Sequence, residues 1–328
     1  MSFDFHAVVK AAHRHNQAER REKEAAKEVK TLRGGDAGAV IDGKMYGKCS
    51  RLAGLRYEGV DVPVDHPLNT LNQFEGGFAN EDIIYEKLVK GGIDPAAILR
   101  EEEIPVAWTT KAGLPVSGRP DICIMEGGKV KVLFELKSVV SLWTAKSVHY
   151  DLRPKSDNLI QAAHYSMAHD AEETLLVYSS YSQFHLSTAP KWLQAKFQPG
   201  THDVDFKADG TPMKILAFDR VYRLTWGDDD VLSYWTEGLD APQRTKLTKQ
   251  SIRDYYEQLA LELQEQTLGP RPSGLAVDGG KSFKACDYCA LKPVCDQYEK
   301  EPRQVWKDHV LVEVDQLEQK VKEALDGD

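Results

Sequence analysis

No stretch of this chain is apolar for long enough to span a bilayer, and its first residues show no apolar targeting core. Both absences lead to the expectation of a soluble protein working inside the cell, away from membranes. Cysteine is sparse as well, with five in 328 residues at positions 49, 123, 286, 289 and 295. An odd, thinly spread set of thiols is not the framework of a disulfide-stapled secreted domain. A surplus of positive charge is also missing. The net charge of −9 excludes a broad basic surface of the kind that neutralises phosphates over a long nucleic-acid footprint. Residues 1–33 run the other way, with eight Lys or Arg against five Asp or Glu. Any path for a polyanion therefore has to be local, a cleft whose own field outweighs the sum.

What is present is an ordinary globular composition, 41% hydrophobic and 28% charged, in a chain long enough for one large or two closely joined domains. Charged residues interleave along a helical stretch over 5–33 that Gly34-Gly35 ends, the pattern of a solvated helix face. Residues 36–72 read mostly as loop. Helical spacing returns from Phe74 to Lys90, where Phe78, Ile83 or Ile84, and Leu88 can share a buried stripe. Strands are expected at Glu103 to Thr109, Gly118 to Met125 and Val130 to Ser138. A helix capped by Ser156 or Asp157 then runs to about His169, ahead of an apolar strand from Thr174 to Tyr178. Residues 185–212 lack a clear period and look inserted. Two further strands, Met213 to Thr225 and Val231 to Trp235, precede a strongly helical segment from Thr248 to Gln266. Helices before, between and after the strands imply a mixed α/β core.

The chemistry concentrates between Gly118 and Lys137. In a strand over Val130 to Leu136, alternate side chains share a face, so Glu135 and Lys137 point one way while Val132, Phe134 and Leu136 point the other. A three-residue loop of Gly127, Gly128 and Lys129 pairs Glu126 with Val130, and therefore Asp121 with Glu135. Two carboxylates then stand side by side, and a hard divalent ion such as Mg²⁺ or Mn²⁺ would relieve their repulsion. Without an ion, the same residues are a hairpin with an exposed acid and a surface Glu-x-Lys pair. Gln161 and Tyr165, four apart, share one helix face.

Cys286, Cys289 and Cys295 form a C-x2-C-x5-C cluster whose thiolates can converge on one centre. Cys49 is the best fourth ligand, because Cys123 lies in the hairpin strand and is more simply a small buried residue. Four thiolates suit structural zinc as well as iron-sulfur. Nearby, Gly274 to Gly280 has a phosphate-loop look, but five residues rather than four separate the glycines and no apolar strand precedes them. No ATP-driven motor is expected.

In chain order, Cys49, Arg119-Pro120-Asp121, Glu135-Leu136-Lys137, Gln161 with Tyr165, and the three late cysteines resemble the RecB-like branch of the PD-(D/E)XK nuclease superfamily. Within it, they are similar to the iron-sulfur members, the AddB-type repair nucleases and the CRISPR-adaptation exonuclease. Residues 185–245 carry no matching motif. The resemblance implies an α/β fold in which helices flank a mixed central β-sheet, a restriction-endonuclease-like core with a C-terminal iron-sulfur region. It implies three parts: residues 1–73 supplying Cys49, a nuclease core over 74–267, and a cysteine-cluster region over 268–328. Asp121 and Glu135 would hold Mg²⁺ or Mn²⁺, Lys137 would assist at the phosphate, and Gln161 with Tyr165 would line the DNA path. Cys49, Cys286, Cys289 and Cys295 would hold a [4Fe-4S] cluster, with zinc as the alternative. Family members often carry a metal-binding His after a Gly on the first helix. This chain has Asn80 after Gly76-Gly77 and Glu81 beside it, and these two are the candidates for a third metal ligand.

The implied activity is a metal-dependent DNA exonuclease in recombination, repair or DNA processing, in the cytoplasm of a bacterial or phage-infected cell. A recombination, helicase or CRISPR-adaptation partner would accompany DNA. The rival reading is a non-catalytic DNA-binding or assembly protein that retains the fold, and a second rival is a zinc module that scaffolds partners.

Overall fold

A computed structural model describes residues 30–34, 37–41, 44–47, 49–57, 68–101, 104, 108–181, 183–201, 203–265, 276–277 and 281–282, with 11–12, 15–16 and 18–19 near the N-terminus. The described residues among 11–19 are helical, and His15 and Glu19 approach to 3.3 Å one turn apart. Residues 36–72 are more regular than a loop. β1 (Ala37–Ile41) and β2 (Lys44–Gly47) pair antiparallel, and α1 (Ser50–Tyr57) follows. α2 (Leu68–Lys90) begins earlier than its apolar stripe suggests. Its end is set by Gly92, whose φ of +96° suits a residue without a Cβ. Gly92 N–H donates to the Val89 carbonyl and Ile93 N–H to that of Leu88, while Ile93 and Leu88 pack in one apolar cluster. That is the capping pattern of a helix closed by a left-handed residue.

The next strand falls earlier than expected, at β3 (Ile98–Arg100). Asp94 accepts from Ala96 N–H at 3.0 Å and caps a tight turn over Pro95–Ala97, which feeds the chain straight into the strand. Of the expected stretch 103–109, Trp108 and Thr109 form β4 (Trp108–Thr109), paired with β5 (Pro115–Val116) in a separate small hairpin. β6 (Ile122–Glu126) and β7 (Lys129–Ser138) make the central hairpin. Beyond it lie α3 (Leu142–Ala145), a single wide turn over Lys146–Tyr150, α4 (Ser156–His169) and β8 (Glu173–Ser180). The expected insertion holds β9 (Phe184–His185), α5 (Lys191–Gln194) and β10 (Val204–Phe206). β11 (Pro212–Ile215) joins β9 and β10 in a three-stranded sheet, so the strand expected from Met213 to Thr225 is two. β12 (Phe218–Trp226), β13 (Val231–Trp235), β14 (Gln243–Thr248) and α6 (Lys249–Gln264) follow, then the short β15 (Ala276–Val277) and β16 (Lys281–Ser282).

The main sheet has seven strands in the order β14-β13-β12-β8-β7-β6-β3. All neighbours are antiparallel except β7 and β8, which run parallel with α4 as the crossover. This is an α/β fold with a large mixed central sheet flanked by helices. One apolar cluster joins Ile98, Ile122, Leu136 and Val177 to Ile84, Tyr85, Leu88 and Val89 of α2. Another joins Cys123, Val130 and Leu133 to Tyr165 of α4. The two helices therefore pack on opposite faces of the hairpin strands. Among the described residues, no helix is long and apolar enough to cross a membrane.

Packing divides the chain into two compact units, residues 1–72, 105–118 and 250–328 in one, residues 73–104 and 119–249 in the other. The seven-stranded sheet lies in the second. α6 and the β4–β5 hairpin belong to the first unit. Within that unit, Leu32 N–H donates to the Pro115 carbonyl at 2.9 Å, and Trp108 meets the buried Tyr256 edge-on with ring centres 5.9 Å apart. The Tyr256 hydroxyl donates to the Arg33 carbonyl at 3.1 Å.

The central hairpin differs from expectation at its turn. Glu126 pairs with Lys129, so the loop is the two residues Gly127 and Gly128, with φ of +58° and +78°. Two left-handed residues in succession match the twist of a tight hairpin, and only Gly takes them without strain. By itself this turn would shift the register by one and send the carboxylates to opposite faces. A β-bulge prevents it. Met125 pairs with Val130 but Ile124 with Val132, leaving Lys131 as an extra residue. Its side chain reaches Glu172 at 2.8 Å and Glu126 at 3.3 Å. Val130 and Leu133 then share a face, as the cluster with Cys123 requires, and Ile122 pairs with Phe134.

A Cβ at Gly128 would meet nothing within 4 Å, so Gly128→Ala isolates the backbone cost. Urea denaturation should show a loss of about 1–2 kcal/mol, with Gly128→Asn losing less; an Ala variant as stable as the parent would remove the left-handed turn.

Candidate functional site

The restored register extends from Ile122 and Phe134 to Asp121 and Glu135, and it places both carboxylates at the end of the β6–β7 pair. Glu135 has no exposed surface. Lys137, two residues along and on the same face, donates from Nζ to Glu135 Oε1. Asp121 precedes β6, and its Oδ2 accepts the N–H of Leu136. Glu135 Oε2 has no hydrogen-bond partner among the described residues. A buried carboxylate oxygen without a donor is costly, because an ion taken from water loses several kcal/mol unless it is paired.

The electrostatics follow from that crowding. Burial raises the Glu135 carboxyl and the charge of Asp121 raises it further, while Lys137 pulls it back. Asp121 is raised by burial against the opposing pull of Lys137 and the Leu136 N–H. Burial alone would depress the Lys137 ammonium, but Glu135 and Asp121 outweigh it and hold the proton more tightly than usual. Glu81 on α2 belongs to the same field. Burial first, then Asp121 and Glu101, lift it from 4.5 to about 7, with Arg100 and Lys137 opposing. It lies three, four and seven residues before Ile84, Tyr85 and Leu88, so it continues their stripe toward the end of the sheet.

Asn80 is buried, and its Oδ1 accepts from the Tyr181 hydroxyl at 2.8 Å, just beyond β8. Of the two candidate third ligands, Glu81 is the one the field couples to Asp121. Gln161 Nε2 donates to the Tyr165 hydroxyl at 3.0 Å. Tyr165 is buried, and after burial the charge of Glu135 is the largest cause that raises its phenol well above the ordinary range. The Gln161–Tyr165 pair therefore stands beside the carboxylates. Glu101 was not anticipated. It lies just past β3, 4.0 Å from the Arg119 guanidinium, and it raises Glu81, Asp121, Glu135 and Tyr165 alike. The signal that could have found it is the short apolar run Ile98-Leu99, which marks the neighbouring strand.

Among the described residues, no three His, Cys, Asp or Glu side chains converge closely enough to enclose a metal ion by themselves. Two carboxylates whose repulsion only one ammonium offsets, with one oxygen unpartnered, still suit a magnesium-type ion. Such an ion takes one or two carboxylates and keeps several waters for the rest of its shell. Cys123 is buried and its thiol is pushed up to about 12, the state of an inert core residue. Cys49 is buried at the start of α1, where its sulfur accepts the Leu52 N–H at 3.4 Å. Cys286, Cys289 and Cys295 lie outside the described residues. No family model, curated protein or solved structure matches the chain.

The raised acids predict a direction for stability. Between pH 4.5 and about 7 the unfolded chain gives up the Glu81 proton while the folded chain keeps it. Stability from this group is therefore full below pH 4.5 and lost as pH rises through about 7. Urea midpoints in EDTA should fall less steeply over that window for Glu81→Gln than for the parent. Equal slopes would show that Glu81 does not titrate there.

Proposed function

We propose that this chain is a metal-dependent deoxyribonuclease of the RecB-like PD-(D/E)XK kind, acting as an exonuclease. The observation that carries the reading is the fully buried Glu135, held by Lys137 beside Asp121, with one oxygen left unpartnered. A surface Glu-x-Lys pair would not be buried, so the bland reading of the motif loses its basis. A mixed sheet flanked by helices is also the kind of core the resemblance implies.

In this reading Asp121 and Glu135 hold Mg²⁺ or Mn²⁺, with Glu81, whose carboxyl the Asp121 charge raises, as the further acid. The bound ion would lower the pKa of a water and shield phosphate charge. Lys137 fixes the Glu135 carboxylate and directs a permanent positive charge toward the charge that develops on the phosphate in the transition state. Tyr165, whose hydroxyl accepts from Gln161, closes the apolar side of the site against Cys123, Val130 and Leu133. Asn80, tied to Tyr181, holds α2 against the end of β8 and so fixes where Glu81 stands. The four-thiolate centre is part of the proposal too. Cys49 is its N-terminal ligand in this reading; it is buried at the start of α1, where its sulfur accepts the Leu52 N–H.

Glu135→Ala should abolish cleavage of end-labelled linear DNA with Mn²⁺ while leaving DNA binding largely intact, since Glu135 contacts no phosphate in this scheme. Lys137→Ala should lose about 10²- to 10³-fold in rate. Wild-type rates in both variants would place the chemistry elsewhere. Anaerobically purified protein should be brown, and Cys49→Ser should lose the colour. Colourless protein with one zinc per chain would assign zinc instead, and unchanged metal content in the variant would exclude Cys49.

A further inference from the structure

Two of the most exposed large apolar side chains among the described residues are tryptophans, and they touch each other. Trp143 is 54% exposed and Trp192 is 55% exposed. Their rings stack with centres 5.8 Å apart and planes 29° from parallel. Tryptophan left in water is informative, because the ring removes much apolar area from solvent wherever it can be buried. Neither ring fills a core.

Both are held firmly. Trp143 is on α3, whose first turn is capped by the Ser141 hydroxyl accepting the Thr144 N–H at 3.2 Å, and Ala145 of the same helix is fully buried. Trp192 is on α5, anchored by the fully buried Leu193. The two segments are joined through Tyr150, whose ring lies 4.6 Å from that of Phe197 and whose hydroxyl donates to the Lys196 carbonyl. The pair is thus a fixed aromatic surface.

Its surroundings have the charge that the whole chain lacks. Residues 139–155 and 183–201 contain Lys146, Arg153, Lys155, Lys191 and Lys196 against Asp151, which is paired with Lys146. Asp203, the next acid along the chain, lies 3.3 Å from His149 of the first segment. A local excess of cations in a chain of net charge −9 is complementary to a polyanion. The segment is also joined to the carboxylates. α3 follows β7 directly, and the Lys155 N–H donates at 2.9 Å to the hydroxyl of Tyr178, the residue paired with Lys137 across β7 and β8.

We propose that Trp143 and Trp192 form a stacking platform for the unpaired bases of a single-stranded nucleic acid, with Lys155, Lys191 and Lys196 following its phosphates. Every base offers a π-face, so such a platform needs no sequence, but a base pair inside a duplex has both faces covered. α3 and α5 are four residues each, too short to read a duplex groove as a helix would. The proposal deepens the nuclease reading and rests on it only in assigning the platform to that enzyme's substrate.

The test is fluorescence anisotropy of a labelled oligothymidylate of about 15 nucleotides, a length that spans a typical single-strand site. Full-length protein in EDTA is compared with Trp143→Ala, Trp192→Ala and the two Phe variants, with a blunt duplex of equal length as the second probe. Each Ala variant should weaken oligothymidylate binding by about tenfold or more, the Phe variants should keep most of it, and duplex binding should not change. Ala variants that bind like the parent, or a parent that binds the duplex as well as the single strand, would overturn the platform. Loss of single-strand binding in the Ala variants from a protein that cleaves nothing with Mn²⁺ would keep the platform and defeat the nuclease reading; cleavage with unaltered binding would do the reverse.

Discussion

Placing Glu135 where no water reaches it imposes a debt on the whole second unit. An isolated carboxylate cannot stay ionised there, and the fold answers with one ammonium two residues away on the same strand face. Lys137 is itself partly buried, and it keeps its proton because the two carboxylates need it. Asp121 is steadied by a backbone N–H of the opposing strand and Tyr165 by Gln161. What remains is one carboxylate oxygen without a donor and three acids pushed toward neutrality. A core selected for stability alone would place Leu or Met at Glu135, since apolar replacement of buried ion pairs is often neutral or stabilising. In the proposed nuclease reading, that charge is what holds the ion.

That cluster depends on register, and the register is reached by two departures that cancel. A two-residue glycine turn displaces the strands by one, and the bulge at Lys131 restores them. Either alone would move Glu135 and Lys137 to the face that packs on α2, where Leu136 and Ile122 belong. The exposed position of Lys131, flanked by Glu126 and Glu172, gives the extra residue a solvated place to go. Apolar packing selects this outcome, because Val130 and Leu133 can both reach the Cys123–Tyr165 cluster only if the bulge is present.

Charge is distributed with the same economy. An acidic chain repels phosphate over most of its surface, so a cationic stretch is effective only where it is needed. Here it lies along the connection that leaves β7 and along the inserted segment packed upon it. Those are the parts with no regular hydrophobic period, because their order comes from side-chain contacts such as Tyr150 with Phe197 and His149 stacked on Phe218.

The sequence alone determined the alternation that puts Glu135 and Lys137 on one face and the helix of Gln161 and Tyr165, since each rests on a fixed local period. The sequence reaches the pairing of Asp121 with Glu135 through a three-residue loop that the chain does not form; the glycine turn and the bulge at Lys131 produce it instead. Cys123 as a plain buried residue was legible for the same reason. The turn length was not, because a glycine pair permits several loops and only packing of Val130 and Leu133 chooses among them. Glu101 escaped notice because β3 is three residues long, too short to show a period, and is a strand only by pairing with β6. The inclusion of Glu81 and the meeting of Trp143 with Trp192 join residues dozens of positions apart. No local pattern encodes such proximity; it exists only after the sheet has formed and its connections have packed.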